Sequence, residues 1–431
     1  MRLLSGRASN GPESTPMLGS APPTTPDPIR TEPTHPAADR SLRALVMCAA
    51  FEPGFRAGGP IRSMVGLLEA ISDRVDLSLV TRDRDIGSSE PYPVRSGQWI
   101  KRGRSRVFYL DGGSLRQWLR LWRELRSTPF DVLYVNSLLG LPFSILPVLA
   151  VRCGLLRVRR VLLAPRGELD RGALRIKAGK KRLFLRCYRP VLRGVDLVWH
   201  ASSTREADDV RRWLPTARIM VVPNNTALPR EPLPAVPPED GPARLVFISR
   251  VHPKKNLQLI ITALAAVSIP VTFDIYGPLE DAAYWAGCQR SCRELPPQVR
   301  VRYRGEVPLS QVRDTFARYD AFVFPTFGEN FGHVIPEALS SSCPVICSAE
   351  TPWSEVITSG GGAVLTESTP AALAREIVRV AGRNATDRLR AKQAAGAAYA
   401  RWRAEPRNNA NVLDEFRTAA DPVSATGVVR P

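Results

Sequence analysis

The sequence predicts an α/β fold of two Rossmann-like domains facing a central cleft, behind a disordered N-terminal tail. Three observations carry this. At 431 residues the chain exceeds the length at which a single hydrophobic core stops growing. Short apolar runs alternate with amphipathic stretches along most of it, the pattern of parallel strands covered on both faces. A Pro-rich segment, residues 229–242, interrupts the alternation, and a fresh series follows.

Residues 1–41 cluster Pro, Thr and Ser with few large apolar side chains, too little to offset the entropy of ordering, and are expected to be a tail. From Arg43 an apolar run, a glycine-containing loop (EPGFRAGGP) and an amphipathic stretch over 61–71 read as strand, loop and helix. Further strands are expected at 75–81, 105–110, 131–136, 160–165, 196–202 and 217–225, completing a first domain over 42–225. A linker at 226–242 leads to a second domain, 243–400, with strands at 244–250, 271–277, 301–307, 321–326 and 343–348. A final helix, 401–420, is expected to cross back to the first domain, leaving 421–431 as a flexible end. Ligands of such sheets bind beyond the carboxyl ends of the strands.

Apolar and charged fractions of 44% and 23% are those of a globular protein. Sixty Lys and Arg against 41 Asp and Glu give a net charge of +19, which favours a phosphate-rich partner. Fourteen basic and two acidic residues fall between Arg152 and Arg193, so that stretch should meet something anionic. The seven cysteines show no zinc or disulfide spacing and suit a reducing cytoplasm. No secretion signal is expected, and the apolar run 138–151, with Pro142 and Pro147, is too short to span a membrane. The expected location is cytoplasmic, peripheral at the inner face of the plasma membrane. Nucleic-acid binding is not expected, because 7% aromatics are not interleaved with the basic residues as stacking surfaces would be.

Two motifs carry chemistry. Ser249–Asn256 follows a strand, and a planar Arg250 fork with the Lys255 point charge suits a diphosphate. The same residues could equally form a solvated basic loop. The stretch Pro325–Leu339 (PTFGENFGHVIPEAL) also follows a strand, has two glycines that let backbone approach a ligand, and places Pro336 where a helix is expected to begin. Its amides would face phosphates, and Glu329 and Glu337 would accept hydrogen bonds from sugar hydroxyls.

These motifs resemble the retaining glycosyltransferase family four, also called glycosyltransferase group 1, and polysaccharide and lipopolysaccharide transferases in particular. The likeness runs from about Arg43 to Arg417: Glu329 and Glu337 fall on the E-x7-E signature, Arg250 and Lys255 on R-x4-K, and Pro223-Asn224-Asn225 on the interdomain turn. It implies the GT-B architecture and a metal-independent hexosyltransferase acting in cell-surface polysaccharide biosynthesis. Its donor would be a nucleotide sugar, a UDP-sugar first and GDP-mannose second, and its acceptor a glycan or lipid-linked, with docking to anionic inner-leaflet lipid. Arg250, Lys255 and Glu329 would be catalytic. Gly58, Gly59, Gly305, Val307, Asn330, Phe331, Gly332, His333, Val334 and Glu337 would bind the donor, and Asn136, Arg166 and Gly167 would lie on the acceptor side. Asn136 stands where many relatives carry a histidine, which puts a catalytic histidine in doubt, and His200 reads as a packed structural residue. The alternatives are another GT-B reaction on a nucleotide sugar, such as epimerisation, a non-catalytic nucleotide-sugar scaffold, or a basic protein that binds membrane or nucleic acid.

Overall fold

The computed structural model describes residues 40–170 and 178–420. The expected tail, residues 1–39, the expected flexible end, 421–431, and part of the basic stretch, 171–177, lie outside the described residues. So do the side chains of Lys180, Lys181 and Arg182.

Fourteen strands form two sheets among the described residues. The first holds β1 (Leu42–Met47), β2 (Val75–Arg82), β3 (Trp99–Arg102), β4 (Ser105–Leu110), β5 (Phe130–Val135), β6 (Val158–Leu163), β7 (Leu197–Ala201) and β8 (Ile219–Val221), in the order β3-β4-β2-β1-β5-β6-β7-β8. The second holds β9 (Ala243–Ile248), β10 (Val271–Tyr276), β11 (Val299–Tyr303), β12 (Ala321–Phe324), β13 (Val345–Ser348) and β14 (Gly362–Leu365), in the order β11-β10-β9-β12-β13-β14. All pairings are parallel except β3 with β4. The order reverses between β1 and β5 and between β9 and β12, and the crevices beyond those strand ends are the binding positions of such sheets.

The apolar runs form strands because both faces of each sheet are covered. Buried residues of the first sheet divide into two clusters, one on each face, and the second sheet has its own. Two strands are absent from the sequence reading. Lys101 and Arg102 are exposed on the edge strand β3, where charge discourages further pairing. β14 begins at Gly362, whose φ is 148°; a Cβ there would lie 1.9 Å from the Val345 oxygen, so only glycine allows the pairing with β13.

The chain turns from the first sheet to the helix α1 (Gly59–Glu69) through Gly58, whose φ of 62° suits glycine. The Pro-rich connection is tied to the second half: Leu233 donates to the Ser340 oxygen at 2.7 Å, and Tyr399 Oη to the Pro229 oxygen at 2.6 Å. The helix read at 401–420 is instead two. Ala385–Ala404 packs Ala395, Tyr399 and Trp402 into the second core, and Val412–Ala420 packs Val412, Leu413 and Phe416 into the first. The crossing is made by 405–411, where Pro406 ends the helical run. Both sheets belong to one compact unit that begins at Ser41. Among the described residues no helix is long and apolar enough to cross a membrane.

Candidate functional site

A cleft of about 510 Å³ opens between the carboxyl ends of the two sheets. From the first half it is lined by Phe55–Pro60, Arg62, Ser63, Arg166, Gly167, Arg205 and Asn224, and from the second by Ser249, Arg250, Lys254, Lys255, Val307 and Gly328–Val334, among others.

Local geometry fixes the second-half loops. A Cβ on Gly277, whose φ is 129°, would lie 2.0 Å from the Ser249 oxygen. That close approach sets the turn that carries Arg250, whose guanidinium meets both Glu280 oxygens at 2.9 Å in a largely exposed pair. The Lys254 carbonyl accepts from Phe327 N at 3.0 Å and from Thr326 Oγ1 at 3.1 Å, and Asn256, left-handed with φ 57°, donates to the Pro325 oxygen at 3.1 Å. The two motif loops are therefore one body. At its centre Lys255 Nζ stands 2.5 Å from Glu329 Oε1, which also accepts from Thr326 Oγ1 at 3.0 Å. Burial pulls the Lys255 ammonium below its ordinary pKa, opposed by Glu329 beside it.

The helix α2 (Val334–Leu339) begins two residues before Pro336, the start expected from sequence, because proline is tolerated anywhere in a first turn. Beneath the loop Trp353 packs edge-on against Phe331, 5.4 Å between ring centroids, and donates its indole N–H to the Phe331 oxygen. Residues 351–356 thus support the 326–334 loop from behind.

Polar contacts join the halves. His333 Nε2 meets Ser63 Oγ at 2.7 Å, Asn330 Nδ2 donates to Ser202 Oγ at 2.9 Å, and Arg205 pairs with Glu350 at 2.5 Å. Arg62 Nε stands 2.8 Å from Glu337 Oε1. The pair is ionic without hydrogen-bond geometry, and both Arg62 Nε and Glu337 Oε2 are buried without a hydrogen-bond partner. Burial pushes the Glu337 carboxyl up to about 7, with Arg62 opposing. Burial, with Arg62 and Arg166 nearby, holds the His333 imidazole well below its ordinary value, and hence neutral.

On the first-half wall, the Arg166 guanidinium is held by Asn136 Oδ1 at 2.5 Å, Tyr134 Oη at 2.6 Å and Asn224 Oδ1. The buried His200 meets Tyr134 Oη and the Val222 oxygen, consistent with a structural role.

Of the residues singled out from sequence, Arg250, Lys255, Glu329, Gly58, Gly59, Val307, Asn330–Val334, Arg166 and Gly167 line the cleft. Asn136 and Glu337 are not among its lining residues: both are buried behind it, Asn136 under Arg166 and Glu337 under Arg62. Gly305 also stands back, its carbonyl accepting from Gly277 N at 2.9 Å. The sequence reading missed Arg62, Ser63, Arg205 and Glu280, and it named Asn224 only as part of the interdomain turn, where it also lines the cleft. Arg62 and Ser63 had a signal, since both fall in the first turns of a helix that follows a glycine loop at a strand end. Arg205 and Glu280 had none, because their places depend on which distant loop each meets, Glu350 for Arg205 and Arg250 for Glu280.

Comparisons with known proteins bear on the family and the fold. Residues 58–225 match the family described as glycosyl transferase 4-like domain, and residues 242–383 match glycosyl transferases group 1. A stretch of 122 residues is 31% identical to the O-antigen chain mannosyltransferase B of Escherichia coli, covering 27% of this chain and 31% of that protein. This match therefore spans about a third of the relative's length. Among solved structures, sucrose-phosphate synthase from Thermosynechococcus elongatus superposes with a TM-score of 0.68 at 17% identity, over 88% of this chain and 99% of that one. HepE of Anabaena, in complex with UDP and glucose, gives 0.61 at 16%, over 88% and 100%. Two family models over the two halves, together with the shared fold, place this chain in the GT-B glycosyltransferase family.

Proposed function

We propose that this protein is a retaining, metal-independent hexosyltransferase that moves a sugar from a nucleotide-diphosphate donor to a glycan or lipid-linked acceptor in cell-surface polysaccharide biosynthesis. The observation that carries it is the joined body of Arg250, Lys255 and Glu329 lining the cleft, with the unpartnered Oε2 of Glu337 buried behind it. A ribose hydroxyl that displaces the overlying Arg62 and donates to Glu337 Oε2 would satisfy that buried acceptor, which favours a nucleoside.

In this reading the donor diphosphate lies along Arg250 and Lys255, and the hexose against Glu329 and the 330–334 backbone. The bond between the anomeric carbon and the diphosphate oxygen breaks. The acceptor hydroxyl forms the new bond from the same face, and its proton passes to the departing phosphate oxygen. Arg250 and Lys255 stabilise the charge that builds there, and preorganised charge of this kind is usually the largest catalytic term. No protein nucleophile takes part. Metal is not required, since side-chain cations neutralise the diphosphate; unchanged activity in EDTA is the expected result. The donor is a UDP-sugar first, GDP-mannose second, the latter supported by the likeness to a mannosyltransferase.

The basic face, with Arg152, Arg157, Arg159, Arg186 and Arg193 exposed beside Leu155 and Leu183, docks on anionic inner-leaflet lipid in the same reading, which makes the protein peripheral and cytoplasmic. Reversing Arg152, Arg157 and Arg186 should abolish cosedimentation with phosphatidylglycerol liposomes; unchanged cosedimentation sinks this part.

The deciding experiment is a thermal-shift screen against UDP, GDP, ADP and their common sugars, repeated with Glu337→Ala and Lys255→Ala. A ligand that binds only the folded protein raises its melting temperature by mass action. A rise with one nucleotide family, weakened in both variants, is expected. No rise at millimolar nucleotide overturns the proposal.

A further inference from the structure

We infer that Arg166 is an oxyanion-binding residue on the acceptor side of the cleft, taking a carboxylate or phosphate that the acceptor itself carries. The inference rests on the transferase reading and deepens it by naming the acceptor's chemical class, an anionic sugar or sugar phosphate rather than a neutral glycan.

The first argument is charge. Four cations of the cleft each face a carboxylate: Arg62 with Glu337 at 2.8 Å, Arg205 with Glu350 at 2.5 Å, Arg250 with Glu280 at 2.9 Å and Lys255 with Glu329 at 2.5 Å. Arg166 has no carboxylate oxygen of the described residues within 4.0 Å. Of the acids around its turn, Glu206 is spent on backbone and hydroxyl donors, with Gly167 N on Oε1 at 2.8 Å and Ser202 N and Oγ on Oε2 at 2.8 and 2.9 Å, and Glu168 on Ser137 Oγ and the Leu138 and Leu139 amides. Arg56 and Lys254 lack a carboxylate too, but Arg56 is exposed to water and Lys254 belongs to the donor loop.

The second argument is that the groups holding Arg166 are fixed in their neutral forms. The Val222 carbonyl can only accept, so His200 Nε2 carries the proton, at 2.8 Å, and Nδ1 is the acceptor. Tyr134 Oη, 2.7 Å from Nδ1, therefore donates to the imidazole and accepts from Arg166 Nη2. Burial pushes the Tyr134 phenol up to about 12 and, with Arg166, the His200 imidazole down to about 3, so neither changes charge near neutrality. The two remaining acceptors are the amide oxygens of Asn136 and Asn224. Three of the five guanidinium N–H groups are used on neutral partners, and the half-buried cation keeps its full charge toward the cleft.

The third argument is position. Arg166 is a non-glycine residue at φ 52°, a conformation that costs on the order of 1 kcal/mol or more and persists only where the surroundings impose it. Gly167 follows at φ 76°, and a Cβ there would be 3.3 Å from Asn330 Cβ. The strained turn thus brings the guanidinium's loop against the loop of Glu329 and Asn330, where the donor sugar is expected. An acceptor anion on Arg166 would hold the attacking hydroxyl beside that sugar, and the planar fork suits carboxylate and phosphate alike.

The test titrates purified protein with glucuronate, glucose 1-phosphate and glucose, with and without a saturating concentration of the nucleoside diphosphate that raises its melting temperature. Calorimetry of the nucleotide-bound wild type is expected to give at least tenfold tighter binding of one charged sugar than of glucose; which one it is distinguishes carboxylate from phosphate. Arg166→Gln should remove that preference, and Arg166→Lys should keep part of it. Asn136→Asp, which puts a carboxylate on Arg166 with no change of shape, should remove it in a protein that packs as before, so the test survives if the Gln variant does not fold. Equal or undetectable binding of charged and neutral sugars overturns the inference, as does a tenfold preference that survives Asn136→Asp. Loss of the nucleotide's stabilisation in Arg166→Gln also overturns it, by assigning the guanidinium to the donor diphosphate. A wild-type protein that no nucleotide stabilises sinks the transferase reading instead, and the titrations without nucleotide still decide the anion preference.

Discussion

Glu337 makes nucleotide binding depend on pH in a way that can be worked through. Its carboxyl is buried, pushed from an ordinary 4.5 to about 7, and its Oε2 has no hydrogen-bond partner. A ribose hydroxyl donates best to the ionised form, so binding draws on the ionised fraction. Below pH 7 that fraction falls tenfold per pH unit, and apparent affinity falls with it, so at pH 5 the nucleotide should bind roughly 100-fold more weakly than above pH 8. Glu337→Gln cannot ionise and should lack this dependence, while the nucleotide's own phosphate titration is common to both proteins and cancels in their ratio. The assay is calorimetric titration with the stabilising nucleoside diphosphate at pH 5, 6, 7 and 8. A wild-type to variant ratio that stays flat across that range refutes the reasoning. Stability should move the opposite way. The folded pKa lies above the unfolded one, so the folded protein binds more protons between 4.5 and about 7 and loses stability as pH rises through that window. The loss should be about 3 kcal/mol, at 1.4 kcal/mol per pH unit, and Glu337→Gln should escape it.

Three further outcomes follow from the same geometry. Lys255→Met leaves Glu329 as a poorly solvated, unpaired carboxylate and should destabilise the protein by about 3 kcal/mol; adding Glu329→Gln should recover much of that in urea melts, and additive losses would count against the pair. Gly277→Ala drives a Cβ to 2.0 Å from the Ser249 oxygen at a φ of 129°; it should cost more than about 2 kcal/mol and impair nucleotide binding by moving Arg250, and a native melting temperature would contradict the close approach. Ser63→Ala removes the partner of His333 Nε2 across the cleft and should cost about 1 kcal/mol, read as a lower melting temperature that Ser63→Thr partly restores.

Much of the fold is legible in the sequence because the signal for it is local. The apolar runs at 42–47, 131–135, 243–248 and 321–324 become the central strands on either side of each order reversal, and an apolar run needs only cover on both faces to be a strand. The positions of Arg250, Lys255 and Glu329 could be read for the same reason: each lies just past such a strand, where side chains must face the crevice. Strand β14 could not, since GAVL over 362–365 is a short ordinary run until β13 lies beside it, and neither could the break at 405–411 that sends Val412–Ala420 to the first core. What only the tertiary structure decides is pairing. That Arg62 faces Glu337, that Asn136 lies under Arg166 rather than in the cleft, and that Arg166 is held over the cleft by neutral groups alone depends on residues 30 to 275 positions apart. Charge interactions decay over ångströms in space and leave no period along the chain, so a sequence can announce its charged groups while the fold assigns their partners.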